Sequence, residues 1–273
     1  MSTAAFAPWL GLCRAAADEV RAALAEAPTR AERERSGGIG EGGDETAAVD
    51  TISEQIVARR LEALHHEGYD FILVSEELGM RSFGRNPARQ VVLDPIDGSV
   101  NAKRSIPYYS LSVAVADGPT MGDVVFGFVH DFATGDEWTA TSGGGAALNG
   151  RPLRTEAPKD PPEILALEAT CTDLIAQRAS SLIGLSERLR VLGSLALSLC
   201  HLAAGRVDGV CSLREIRSVD VAAAQLLVRE QGLAIELASG EFLQAPLDLG
   251  RRSVVVAAAS PSTCAQLALA VTS

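Results

Sequence analysis

The chain is short of positive charge, of pairable cysteines and of long apolar runs, and each shortage excludes something. Only 24 Lys and Arg stand against 35 Asp and Glu, a formal net charge of −11. That leaves no electrostatic footprint for nucleic acid or an acidic lipid surface. No stretch reaches the roughly 18 uninterrupted apolar residues of a membrane span. The opening MSTAAFAPWLGLCRAAADEV has no basic lead, and Arg14, Asp18 and Glu19 break its apolar character, so it reads as a mature start, not a targeting segment. The expected setting is the cytoplasm, with neither a nucleic-acid nor a membrane partner. The five cysteines at 13, 171, 200, 211 and 264 are odd in number and lack CxxC spacing, which argues against a disulfide framework and a zinc site. There is no GxSxG elbow, no DxDx[TV] strand end and no loop of acids at alternate positions. A Ser-His-Asp hydrolase, a haloacid-dehalogenase-type phosphatase and an EF-hand are therefore set aside.

What is present suits an ordinary globular protein: 273 residues, 47% hydrophobic and 22% charged, enough for a sizeable core. Trp9, Cys13, Ala16, Val20 and Leu24 recur every three or four residues and predict a helix over 8–26. A second helix is predicted from Thr51 to about Glu67. Between them, residues 36–44 hold five glycines and predict a mobile loop without regular structure. Apolar runs at 71–74 and 91–93 predict buried strands, and strands at 111–116, 124–130 and 137–140 continue as an antiparallel meander. From about residue 163 the pattern alternates: strand 164–168, helices 172–180 and 194–204, strand 207–212, helix 220–231, strand 253–258 and helix 263–270. Two units are expected: 1–160, an α+β half with a large, mostly antiparallel sheet and a metal site, and 161–273, an α/β half that closes that site.

The chemistry concentrates in Val91-Val92-Leu93-Asp94-Pro95-Ile96-Asp97-Gly98-Ser99. A buried strand delivers Asp94 to its end, Pro95 is expected to turn the chain, and Asp97 follows where Gly98-Ser99 is expected to start a helix. Two carboxylates so close raise each other's pKa unless a cation neutralises them. A hard divalent ion with oxygen ligands would do so, the Ile96 carbonyl being a natural further ligand. Val74-Ser75-Glu76-Glu77 ends the neighbouring strand, so Glu76 or Glu77 can reach the same volume.

Asp94-Pro95-Ile96-Asp97-Gly98-Ser99 resembles the signature of the inositol monophosphatase-like family, and Ser218-Val219-Asp220-Val221-Ala222-Ala223 is similar to its second signature. Gly43-Asp44-Glu45-Thr46, Val49-Asp50, Glu76-Glu77, the run at 145–150 and Ala204-Gly205-Arg206-Val207-Asp208 occur in the family's order. Within the family, the motifs look most like archaeal-type members acting on both inositol monophosphate and fructose 1,6-bisphosphate. The resemblance implies a layered α/β/α/β/α sandwich, a requirement for two to three Mg²⁺ ions, a small phosphorylated sugar or polyol as substrate, and a homodimer. It implies a first ion on Glu76, Asp94 and the Ile96 carbonyl, a second on Asp94, Asp97 and Asp220, and a weaker third near Glu76. Asp50 with the Ser99 hydroxyl would orient the attacking water, while Gly98 and Ser99 amides would grip the phosphate. Gly193 and Ser194 are candidate donors to the sugar, and Arg214 or Arg217 a candidate fork for a second anionic group. Leu213 falls where several inositol-directed relatives carry a sugar-contacting glutamate, so a hydroxyl-reading acid is expected to be missing. The loop 36–44 is expected to fold over the site and bring Asp44 or Glu45 near the third ion. Histidinol phosphate and nucleotide 3′-phosphates stay open as substrates, and so does a non-catalytic metal- and metabolite-binding role.

Overall fold

The computed structural model describes residues 3–34, 36–39, 45–85, 87–155 and 157–272. A 3₁₀ turn leads into α1 (Ala7–Glu26), started by Pro8, whose missing amide proton costs nothing in a first turn, and lined on one side by Trp9, Leu12, Cys13, Ala16, Val20 and Leu24. The short α2 (Arg30–Arg33) carries a Thr29–Glu32 capping box. Strands β1 (Ser36–Ile39) and β2 (Glu45–Ala47) pair antiparallel. The glycine-rich expectation is thus corrected at 36–39, where cross-strand bonding organises the backbone in spite of its composition. Residues 40–44, with Asp44, lie outside the described residues. Helix α3 (Ala48–His66) begins three residues earlier than periodicity predicts.

The first sheet contains β3 (Phe71–Ser75), β4 (Gly79–Phe83), β5 (Arg89–Asp97), then, after the five-residue α4 (Ser99–Lys103), β6 (Ser110–Ala116), β7 (Val124–Asp131), β8 (Glu137–Thr141), β9 (Gly145–Leu148) and β10 (Arg151–Pro152). Its order is β10-β9-β8-β7-β6-β5-β3-β4; only the β3–β5 pair is parallel, and the meander is as predicted. The second sheet contains β11 (Ile164–Glu168), β12 (Arg188–Arg190), β13 (Gly209–Ser212), β14 (Ala234–Leu237) and β15 (Val255–Ala258), ordered β12-β11-β13-β15-β14. Helices α5 (Thr172–Leu182), α6 (Leu195–Ala203), α7 (Ser218–Glu230) and α8 (Pro261–Thr272) complete the chain.

Three apolar clusters define the layers. α1 and α3 cover the outer face of the first sheet through Trp9, Val20, Leu61, Phe71, Val113 and Phe128. α5 and α8 cover the outer face of the second through Leu165, Leu182, Val256 and Leu267. α6 and α7 lie between the sheets and pack on both, joining Val92, Ala114, Val129 and Trp138 to Val210 and Ala257. A helix that must touch a layer on each side can have no polar stripe. Accordingly, from Leu195 to Ala203 all but His201 are buried. The architecture is the α/β/α/β/α sandwich.

Candidate active site

Residues three apart on an unbroken strand point to opposite faces, so a regular β5 would separate Asp94 from Asp97. It is not regular. Asp94 pairs with Ser112 and Asp97 with Ser110, three residues of one strand against two of the other, and the extra residue is a bulge at Pro95-Ile96 that returns both acids to one face. Pro95 therefore does not end the strand, as the sequence suggested. It sits at the bulge, where a missing ladder donor is tolerated, and β5 runs on to Asp97. Gly98 follows with φ +95°, a conformation that L side chains rarely adopt, and a Cβ there would lie 3.0 Å from the Tyr108 carbonyl oxygen and 3.1 Å from that of Gly193.

Each acid is fastened by its own surroundings. The Ile96 amide donates to Asp94 Oδ1 at 3.0 Å. The Ser194 hydroxyl and the Ala196 amide (2.8 Å) both donate to Asp97 Oδ2, while the same Ser194 oxygen caps α6 by accepting from the Leu197 amide. The Arg217 amide donates to Asp220 Oδ2 at 2.6 Å, closing the start of α7. Arg217 Nη2 donates to Glu76 Oε1 at 2.6 Å and stands 3.7 Å from Asp220 Oδ1. Three carboxylates, Glu76 just past β3, Asp94 on β5 and Asp220 on α7, thus share one guanidinium's neighbourhood.

The electrostatics record the crowding. Burial, then Glu76, Asp97 and Asp220, push Asp94 well up. Burial pushes Asp97 up to about 7 against the Ser194 and Ala196 donors that pull it down, and Asp220 up to about 6 in spite of Arg217. Burial draws Arg217 down, but Asp220, Glu76 and Asp94 outweigh it and hold its charge more firmly than usual. Among the described residues, no three His, Cys, Asp or Glu side chains stand ready-made around a metal position. The donor chemistry nevertheless fits a hard divalent cation: every side-chain ligand candidate is a carboxylate, and each fastening bond leaves a second oxygen.

Because these acids hold their protons to higher pH folded than unfolded (ordinary value about 3.9), the folded state binds more protons between about pH 4 and 7. The metal-free protein should therefore lose stability as pH rises through that window and level off above it. Melting temperatures in EDTA from pH 5 to 8 test this, and the decline should vanish with millimolar Mg²⁺; a metal-insensitive profile would refute the cluster as a cation site.

Several partners were invisible in the sequence. Glu54, buried on α3, accepts from the Ser75 hydroxyl and from the Glu77 and Leu78 amides, so it builds the turn that carries Glu76; Glu77 is thereby a structural neighbour. Glu168, at the end of β11, accepts from the Gly193 amide (2.7 Å), the Leu192 amide (3.3 Å) and the Ser198 hydroxyl (2.7 Å). The Gly193 amide, expected to face a sugar, donates here to Glu168. Asn101 Nδ2 donates to the carbonyls of Tyr108 and Leu192, tying the α4 segment to the turn before α6. The Ser99 hydroxyl donates to the Ile96 carbonyl at 2.9 Å, and Asp50 Oδ2 lies 3.6 Å from Lys103 Nζ.

A cleft of about 490 Å³ opens beside the acids, lined in part by Asp97, Glu168, Arg214, Glu215, Arg217, Asp220 and Arg251. Leu213 is buried as an apolar side chain would be. Glu215 lines the cleft two residues further on. Arg251, which the sequence did not single out, adds a third guanidinium.

A five-layer sandwich with acids gathered at strand and helix ends beside an arginine-lined cleft defines the sugar-phosphatase class of fold. The chain belongs to the inositol monophosphatase family, whose profile matches residues 6–272, and is a phosphoric monoester hydrolase. A fructose-1,6-bisphosphatase/inositol-1-monophosphatase of Methanothermobacter thermautotrophicus is 35% identical over 230 residues, covering 81% of each chain. Its namesake in Archaeoglobus fulgidus is 34% identical over 253 residues, 91% of this chain and 92% of that one. A solved inositol monophosphatase–fructose 1,6-bisphosphatase superposes with a TM-score of 0.82 at 27% identity, covering 96% of this chain and 99% of its own.

Proposed function

We propose that the protein is a Mg²⁺-dependent phosphatase of a small sugar or polyol phosphate, with inositol monophosphate and fructose 1,6-bisphosphate as leading substrates. The observation that carries this reading is the bulge that turns Asp94 and Asp97 to one face beside Glu76 and Asp220. Glu76, Asp94 and the Ile96 carbonyl would hold one ion, and Asp94, Asp97 and Asp220 a second, with a third, weaker one near Glu76. Ions held there would supply Lewis-acid polarisation of the phosphoryl oxygens and a lowered pKa for a bound water. The chain's own part is placement. Asp50 and the Ser99 hydroxyl orient the water, the amides of Gly98 and Ser99 meet the phosphate, and Ser194 keeps Asp97 aimed. Arg214 and Arg251 offer a second anionic group the bidentate donors it favours, which supports a bisphosphate among the substrates. Glu215 is placed to accept from a sugar hydroxyl.

The unpaired cysteines support a reducing, cytoplasmic setting, and among the described residues no helix is long and apolar enough to cross a membrane. A homodimer is the proposed assembly, a reading that rests on the family resemblance.

Phosphate release from inositol 1-phosphate, fructose 1,6-bisphosphate, histidinol phosphate and adenosine 3′,5′-bisphosphate, with Mg²⁺ and with EDTA, tests the reading. Release from the first two, abolished by EDTA, is expected. Release only from the third or fourth would move the substrate within the family, and tight binding without release would favour a non-catalytic role.

A further inference from the structure

Among the described residues, Arg217 is the cation whose side chain reaches both Glu76 and Asp220. Its backbone explains why: as the residue before α7, with φ −108° and ψ 166°, it anchors its amide on Asp220 and sends its guanidinium back across the helix start to Glu76. The contact joins residues 141 positions apart, Glu76 just past β3 of the first sheet and Arg217 between β13 of the second sheet and α7. Arg217 and Glu76 are only 17% and 23% exposed, so the pair is partly shielded from solvent and stronger than a surface ion pair. An arginine cannot give up its charge to relieve crowding, and with its bond on one Glu76 oxygen it competes with a divalent ion for the negative charge of the same carboxylate.

We propose that Arg217 is a built-in counter-ion of the acidic cluster, holding Glu76 and Asp220 until a divalent ion displaces it from Glu76, and that it thereby sets the metal affinity of the site. Once displaced, the guanidinium still lines the cleft and is available to an incoming phosphate. One side chain serves Glu76 or the substrate but not both, so metal entry and substrate grip are linked through it. Arg217 is on this account a positioning residue acting through Glu76 and Asp220. The inference rests on the proposed assignment of those acids as metal ligands.

The test is Mg²⁺ binding by titration calorimetry to the whole protein and to Arg217→Ala and Arg217→Gln, the second preserving bulk in case the first folds poorly. Arg214→Ala and Arg251→Ala, which remove the same charge from the same cleft, serve as controls. Mg²⁺ should bind the Arg217 variants at least about tenfold more tightly and the controls less than about threefold more tightly. Mg²⁺ activation should reach its midpoint at correspondingly lower concentration while KM for substrate rises. Unchanged or weaker Mg²⁺ binding to the Arg217 variants, or an equal gain in the controls, overturns the proposal and leaves the metal site standing. Failure of the unaltered protein to bind Mg²⁺ at all overturns both.

Discussion

Asp97→Asn should yield a folded protein whose kcat is reduced by roughly a thousandfold or more, because the change removes one of the negative charges available to a metal while leaving the shape intact. The asparagine carbonyl can still accept from the Ser194 hydroxyl and the Ala196 amide, so the support of α6 survives. Its amide then faces the other acids in place of a carboxylate oxygen. Stability should move the opposite way. Asp97 titrates at about 7 in the folded protein, above its unfolded value, so above pH 7 its charge destabilises the metal-free state. Removing it should raise the midpoint of metal-free unfolding at pH 8 by an amount worth roughly 2 kcal/mol, discounted for its partial exposure. Steady-state assays and denaturant titrations in EDTA read both effects. A folded variant with full activity would remove Asp97 from the site.

Gly98→Ala is expected to be damaging out of proportion to the one carbon it adds. At φ +95° the added Cβ would meet the backbone oxygens of Tyr108 and Gly193 at 3.0 and 3.1 Å, and Tyr109 Cβ at 3.2 Å. Backbone cannot step aside as a flexible side chain can, so strain and clash together should cost about 3 kcal/mol. The relaxation that remains pushes the 190–194 turn outward. That turn carries Ser194, whose hydroxyl aims Asp97, and kcat/KM should fall at least roughly a hundredfold even where the variant is fully folded. Urea unfolding and kinetics separate the two losses. A variant within about 0.5 kcal/mol of the parent would mean that Gly98 is not tightly enclosed.

The acids and the elements that carry them were legible because their signals are local. An apolar strand running into Asp94 and Asp97, and a helix opening at Asp220, are visible within a dozen residues. The bulge was not: Pro95 reads equally as a turn, and only the pairing with Ser110 and Ser112 decides that the strand continues. Edge strands were missed for a related reason. In β12, Arg188, Leu189 and Arg190 are all exposed, so burial imposes no alternation for periodicity to detect. The β9–β10 hairpin did carry a signal, Asn149-Gly150, with both residues at positive φ, the preferred pair for a two-residue hairpin turn. The buried supports had none. Glu54 fixes the turn of Glu76, Asn101 reaches Leu192 and Glu168 holds Gly193, all across separations of more than twenty residues. A polar residue destined for burial looks in sequence like any surface one.

The layer between the two sheets has a consequence for how the chain is made. The inner face of the first sheet, with Val74, Val92, Ala114, Val129 and Trp138, is complete once β10 ends at Pro152, yet the helices that cover it end at Ala203 and Glu230. At a ribosome's pace of about 5–20 residues per second, that face stays bare for roughly 4 to 16 s of synthesis. The newborn molecule must therefore keep a wide apolar surface from aggregating until its last third emerges.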